Sequence, residues 1–392
     1  HPGVMEKLLT ISVAAYNVAS TLGETLSSMC LDAHYMKKLE VIVTDDGSVD
    51  GTPQIAQGFV EKHPGTFRLI SQKNKGYGSS LENALAHGRG LYFKVVDGDD
   101  KVDPRGLERL LDRIRELAGY DPDPAGQDDL DRRQDLTGCR AGKGDLPDLI
   151  LTPFFTWRSE VDSGNGEHSF SSRGYKKVEN HSGLSPVPVS IEAADLSRGL
   201  SIFEITCRRE MLLKVHPKFL HHCFYVDNEL VMAVLIGADT LCRMDHPVAV
   251  YRTDRSGQSM SQDFLAGHFE DTIRVSRQVF SMYLGGRENI SGGKREASEL
   301  LVSSMARLEW LAGLLSSHPL RCRGTLRKRY RALRMESPDL FQVTQRSRIA
   351  RAGRLAGPFG FLVLSASFKI KNRISRPGQV VYFAKKNTSE KE

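Results

Sequence analysis

The stretch YFKVVDGDDKVDP, residues 92–104, passes from an apolar segment directly into three carboxylates, Asp97, Asp99 and Asp100. Aspartate and glycine are common turn residues, so one reading is a solvated turn that ends a strand. The other is a site for something cationic. A second apolar run, VIVTDDGSVDGT (41–52), also ends in acid, at Asp45 and Asp46. Both runs are apolar on both faces and are separated by helical segments, the pattern of a parallel sheet covered on each side. In such a sheet the carboxyl ends of the strands share one edge, where ligands sit. Five converging carboxylates would repel one another. A hard divalent cation removes that cost, and Mg²⁺ or Mn²⁺ suits carboxylate oxygens. Because such an ion keeps positions open for phosphate oxygens, a diphosphate is the expected companion.

Working outward, apolar runs predict strands at 8–14, 39–44, 67–71 and 91–96. Helices are predicted between them at 21–30, 52–62, 80–88 and 104–117, with Pro53 near a first turn, where a missing N–H costs little. The fold class is α/β, with a mostly parallel sheet. Residues 119–147 are rich in Asp, Gly, Pro and Arg and read as a surface excursion. Residues 148–157, DLILTPFFTW, read as one strand, and 163–180 as a hairpin or mobile loop. Short helices are expected at 208–215 and 228–237, strands at 240–244 and 248–252, and helices from about 262 onward.

At 392 residues and 40% hydrophobic content, the chain can build one sizeable core with an appendage, or two or three small domains. A net charge of +6 is mildly basic and singles out no partner. Cys30, Cys139, Cys207, Cys223, Cys242 and Cys322 are scattered without CxxC pairs or zinc spacing, and read as reduced thiols. The opening HPGV before Met5 is set aside from fold reasoning. No signal peptide is expected, and no apolar run reaches the roughly 18 residues of a membrane span. The expected location is cytoplasmic, either free or peripheral at the inner face of the cell membrane.

Four segments occur in order: ISVAAYNVASTLGETLSSM, LEVIVTDDGSVDGT, NKGYGSSLENALAHGRGLYFKVVDGDD, and YVDNELVMAVL followed by YRTDRSGQSMS. Together they resemble the family 2 glycosyltransferases of GT-A fold, over about residues 5–261. The remainder, 262–392, is expected to be a helical region with a basic tail. The resemblance implies transfer of a sugar from a nucleotide diphosphate donor, a UDP-sugar, to a saccharide or lipid-linked acceptor with inversion, in the synthesis of cell-surface polysaccharide or glycolipid. Two departures stand out. Ala15 occupies a place where proline or serine is usual before Tyr-Asn, and the 119–147 insertion is unusual on the acceptor side.

The resemblance also implies roles for individual residues. Ala14, Ala15 and Tyr16 should line the nucleoside pocket, and Asp46, with Asp45, should accept a hydrogen bond from uracil or ribose. For Tyr16 the alternative is a core aromatic, and for the two aspartates a helix cap, for which Asp50 is better placed. Lys75, in NKGYG, faces phosphate or sits in a plain turn. Asp97 and Asp99, with Gly98 between them, form the DxD-type pair. Asp99 is expected on the Mn²⁺ or Mg²⁺, Asp97 on the metal or on ribose and sugar hydroxyls, and Asp100 orients its neighbours. Asp227 matches the catalytic base, with Glu229 as the alternative; Asp227 could instead cap its helix. Arg252, Arg255, Gln258 and Ser259 suit the leaving diphosphate on a loop that closes over the donor, unless an Arg simply pairs with Asp254.

Residues 321–334 and 346–354 are dense in arginine, and 359–374 begin apolar and end basic. One reading is a helix in an anionic membrane interface; the other is a solvated arginine face with the apolar run packed on the helical region. Nucleic acid is not an expected partner, since no reading motif accompanies the charge. A second functional class, a catalytically inactive scaffold that binds nucleotide sugars, differs from the transferase in lacking turnover. A sugar-1-phosphate nucleotidyltransferase would need a Gly-rich, Arg-bearing loop after the first strand, which SVAAYNVAST lacks.

Overall fold

The computed structural model describes residues 7–120, 146–157, 175–253 and 261–374. The chain divides into two compact units. The first comprises residues up to 195, 201–222 and 233–253; the second comprises 196–200, 223–232 and 254 onward.

The first unit opens with β1 (Leu9–Ala15), α1 (Ala19–Ser27), α2 (Ala33–Lys38), β2 (Leu39–Asp45), α3 (Thr52–Lys62), β3 (Phe67–Ser71), α4 (Tyr77–His87) and β4 (Tyr92–Asp97). It continues with β5 (Lys101–Val102), α5 (Pro104–Leu117), β6 (Leu149–Leu151), β7 (Phe154–Trp157), β8 (Tyr175–Val178), β9 (Val189–Ser190), β10 (Ile205–Arg208) and α6 (Arg209–Val215). Helix α7 (Asp227–Gly237), whose residues up to 232 belong to the second unit, precedes β11 (Thr240–Arg243) and β12 (Ala249–Arg252). The large sheet has the order β3-β2-β1-β4-β10-β6-β11-β9. Its first four strands are mutually parallel. Every residue of β2 is buried, as a strand covered on both faces requires. The chain steps from β1 outward to β2 and β3, then returns to the other side of β1 at β4. The crevice at that reversal, beyond the carboxyl ends of β1 and β4, is the ligand position of open α/β sheets.

Where the strands were expected they form, with ends shifted by a residue or so. One prediction needs correction: DLILTPFFTW is two strands. β6 belongs to the large sheet and β7 to a second sheet of order β5-β12-β7-β8. Pro153 has no N–H for a ladder, and the backbone changes sheets there. The Thr152 N–H bonds to the Glu204 carbonyl at 3.0 Å. Three strands were not anticipated: β5 and β9, each only two residues long, and β10, whose last residue, Arg208, falls at the start of the helix expected over 208–215. Of the 119–147 excursion and the 163–180 segment, residues 121–145 and 158–174 lie outside the described residues; 175–178 form β8, antiparallel to β7.

The second unit is helical: α8 (Gln262–Gly267), α9 (Phe269–Gly286), α10 (Gly292–Leu315), α11 (Pro319–Glu336), α12 (Pro338–Thr344), α13 (Arg348–Leu355) and α14 (Pro358–Ile374). α10 is buried along most of its length and packs against the other six, as a helix at the centre of a bundle does. α13 comes especially close: a Cβ on Gly353 would stand 2.4 Å from Trp310. The arginine-rich segments are therefore folded helices. α11 buries Cys322, Leu326 and Tyr330, and its Arg329 reaches the buried Glu309 at 3.0 Å. α14 buries Phe361 and bonds Ser365 to the Leu314 carbonyl at 2.6 Å. No helix among the described residues is long and apolar enough to cross a membrane.

Candidate active site

The tips of β1, β2 and β4 stand side by side: Ala15 is in register with Asp45, and Ala14 with Asp97. Both acidic runs thus end on one edge. Beyond β4 the chain turns sharply, with the Asp100 N–H on the Asp97 carbonyl at 3.0 Å and the Gly98 N–H on the Ala14 carbonyl at 3.1 Å. Only glycine fits at 98, since a Cβ there would lie 2.8 Å from the Ala14 oxygen. Helix α1 holds the turn from beneath. The Thr21 and Thr25 hydroxyls donate to the Gly98 carbonyl at 3.1 and 3.0 Å, and Thr25 also reaches the Asp100 carbonyl at 2.6 Å.

This frame brings Asp97, Asp99 and Asp100 together, with a carboxylate oxygen from each within 4.8 Å of the others. Asp97 and Asp99 are half-buried and Asp100 is buried. The Tyr77 hydroxyl donates to Asp97 Oδ1 at 2.9 Å, and the Arg252 N–H to Asp100 Oδ1 at 2.9 Å. Burial, reinforced by the charges of Asp99 and Asp97, pushes the Asp100 carboxyl well above the usual carboxylate range. Three hard oxygen donors at this spacing fit a divalent cation.

Asp45 and Asp46 share the edge but not the cluster. Asp45 Oδ1 accepts the Ser48 N–H at 3.1 Å, closing a turn. The buried Asp46 carboxylate accepts the Lys75 and Gly76 N–H groups at 2.8 and 2.7 Å and the Gln72 amide at 2.6 Å. It thereby ties the NKGYG turn to the tip of β2. Asp50, one residue before the Gly51 N-cap of α3, accepts the first N–H of two helices, Ala19 of α1 at 3.1 Å and Thr52 of α3 at 3.0 Å. Ala15 is buried in the core, Ala14 partly so, while Tyr16 is half-exposed and so not a core aromatic. The Lys75 side chain is exposed. Arg252 turns its guanidinium to Glu24 at 2.8 Å, over the Trp157 ring, and Lys101 approaches the same Glu24 oxygen at 2.7 Å. Arg255, Gln258 and Ser259 lie outside the described residues, as does Asp254.

In the second unit, Asp227 opens α7 and is partly exposed. Loss of hydration pushes its carboxyl up to about 6, against the hydrogen bonds it receives from its own and the Asn228 N–H and from the Asn228 amide. Tyr225, just before it, adopts a left-handed φ of 68°, a strained position for a residue with a side chain. Glu229 is fully buried. Of the two acids, Asp227 is the one solvent reaches.

Sequence reasoning missed Tyr77, Thr21, Thr25 and Glu24. The Thr21/Thr25 spacing of four residues on one helix face was the only local sign, and it did not name their partner.

Comparison with known proteins agrees with this geometry. Residues 10–135 match the family model described as Glycosyl transferase family 2. The chain is 38% identical over 108 residues to chondroitin synthase of Escherichia coli, covering 28% of this chain and 15% of that protein. It is 38% identical over 94 residues to cholesterol galactosyltransferase of Borreliella burgdorferi, covering 24% and 26%. With the succinoglycan biosynthesis protein ExoO of Rhizobium meliloti the identity is 31% over 182 residues, 44% of this chain and 51% of that one. The chain thus spans from about a seventh to half the length of these relatives. The crystal structure of Staphylococcus aureus TarS superposes with a TM-score of 0.57 at 15% identity, over 92% of this chain and 55% of that one, a likeness of fold. Residues 10–135 thus resemble glycosyl transferase family 2, and the α/β fold is of GT-A type.

Proposed function

We propose that the protein is a metal-dependent, inverting glycosyltransferase. It moves a sugar from a nucleotide diphosphate donor, a UDP-sugar, to a saccharide or lipid-linked acceptor in cell-surface polysaccharide or glycolipid synthesis. The observation that carries this reading is the Asp97–Asp99–Asp100 cluster at the carboxyl edge of a family 2 sheet. The catalytic region is taken as residues 5–261, and 262–392 as an accessory helical region.

Asp99 and Asp97 would hold Mn²⁺ or Mg²⁺. When bound, the ion supplies Lewis-acid stabilisation of the leaving diphosphate. Tyr77 fixes the rotamer of Asp97, and Asp100 fixes the start of the segment after β12. Tyr16, half-exposed at the tip of β1, packs along the nucleoside. Lys75 offers an ammonium to phosphate oxygens. Arg252, paired with Glu24 over the Trp157 ring, braces the end of β12 beside the acid cluster. A sugar hydroxyl is a poor nucleophile and must lose its proton as it attacks. Asp227 is the base: a carboxyl near 6 is ionised at neutral pH yet more basic than an ordinary aspartate.

The test is Asp227→Asn. Donor affinity should stay near the parent value while transfer, or slow donor hydrolysis, falls by roughly 10²- to 10⁴-fold. In the parent, kcat/KM should rise with pH through about 6 and then level off, because the base works only when deprotonated. Parent-rate transfer by Asp227→Asn with a dead Glu229→Gln would move the base two residues along. A parent protein that binds nucleotide sugar but never turns it over would be the scaffold instead.

A further inference from the structure

The helical unit holds an open cleft of about 480 Å³ that the sugar-transfer chemistry does not use. Arg334 from α11 and Arg346, Arg351 and Arg354 from the end of α12 through α13 converge on it. Four like charges around one concavity oppose each other unless an anion joins them. The chain supplies little relief: Arg346 meets Glu299 at 2.6 Å, but no carboxylate pairs with Arg334 or Arg351 among the described residues. The cleft is nonetheless built. Arg354 and Arg334 lie over the Phe341 ring, at 5.4 and 5.9 Å from its centre, which braces both guanidinium groups. Arg354 Nε donates to Gln345 Oε1 at 2.8 Å, which holds its guanidinium in the lining of the cleft. Rigid planar donors with one apolar floor suit the oxygens of a phosphate group, which guanidinium binds in a fork.

The chain beyond the cleft says what carries that phosphate. α13 ends in Leu355, exposed to 67%, and α14 begins with Phe359 at 80%, Leu362 at 41% and Val363 at 50%. The last three share one helix face at spacings of three and four, opposite the buried Phe361. An exposed apolar face directly following an arginine cleft matches an acyl region beside a headgroup. We infer that the cleft formed by Arg334, Arg351 and Arg354 is a phosphate-binding site, and that its ligand is the phosphate of an anionic lipid. The inference does not depend on the transferase reading.

The test uses the full chain in EDTA, which removes metal-dependent binding at the Asp97–Asp100 cluster. One arm measures flotation with phosphatidylcholine vesicles, with and without phosphatidylglycerol; the other titrates inorganic pyrophosphate by calorimetry. Arg334 and Arg351 are exposed, so Arg334→Gln with Arg351→Gln should fold, as circular dichroism checks. That variant should lose about tenfold or more in both arms. Phe359→Ser with Leu362→Ser should lose vesicle binding alone. Pyrophosphate binding without vesicle binding would keep the phosphate site and overturn the lipid source. Equal binding by parent and double-arginine variant, or no binding by the parent in either arm, would overturn the site.

Discussion

The two ends of the central sheet treat buried acid in opposite ways. At the amino end of β2, Glu40 is fully buried, yet it accepts bonds from Thr10 Oγ1 at 2.8 Å, Arg68 at 3.0 Å, and the Arg89 side chain and N–H at 2.8 and 2.7 Å. Burial would raise its carboxyl, but those bonds outweigh it and hold it below the usual range. At the carboxyl end, Asp97, Asp99 and Asp100 are gathered within 4.8 Å, and Asp100 is driven the other way. The same sheet can neutralise a carboxylate with its own arginines. It does so where the charge serves the fold, and leaves charge concentrated at the edge where the cation is proposed.

Three substitutions test that contrast. Asp99→Asn keeps size and removes charge, so the fold should persist while metal-dependent affinity for a nucleotide diphosphate falls by about 100-fold or more. Calorimetry that showed unchanged binding in Mn²⁺ would break the carboxyl-end half of the comparison. Glu40→Gln should do the reverse, leaving donor binding intact and costing about 2 kcal/mol of stability at neutral pH. Because the folded pKa of Glu40 lies below its unfolded value, that stability is present above the ordinary glutamate pKa and is lost as pH falls. Urea unfolding should therefore find a gap between parent and variant that closes in acid; a gap that widened would contradict the pairing. The smallest effect belongs to Asp100→Asn. Without metal the variant should be more stable by about 1 kcal/mol, since one of three crowded charges is gone while the amide oxygen still accepts from Arg252. Asp100 has a raised folded pKa, so the gain should be largest at neutral pH and vanish in acid. A metal-free variant that melted below the parent would mean the carboxylate is structural.

Much of this was legible in the sequence because it rests on local patterns. Strands buried on both faces, such as LEVIVT, announce themselves by apolar continuity, and Thr52–Lys62, Phe67–Ser71 and Pro104–Leu117 begin and end where the pattern places them. The acid cluster was legible for a related reason: Asp97, Asp99 and Asp100 lie within four residues, so no long-range geometry is needed to bring them together. What was not legible depends on partners far along the chain. Thr25 reaches Asp100 across 75 residues, and Arg252 finds Glu24 across 228. The split of 148–157 was signalled by Pro153, but a proline marks a break without saying which sheet the chain enters next. Asp46 shows a further limit. Its place at the strand tip could be read, whereas its three bonds to the 72–76 turn required the fold.

The bond between the Arg252 N–H and Asp100 Oδ1 has one more consequence. β5 follows the acid turn immediately and pairs with β12 through Val250–Lys101 and Ala249–Val102, so this amide is clamped at the ladder's end and cannot easily turn away. Its nitrogen chemical shift and its exchange with solvent deuterium should track the charge on Asp100. In an ¹⁵N-labelled sample the Arg252 resonance is then a reporter already wired to the acid cluster, moving as the cluster titrates or takes up a cation, with no probe attached.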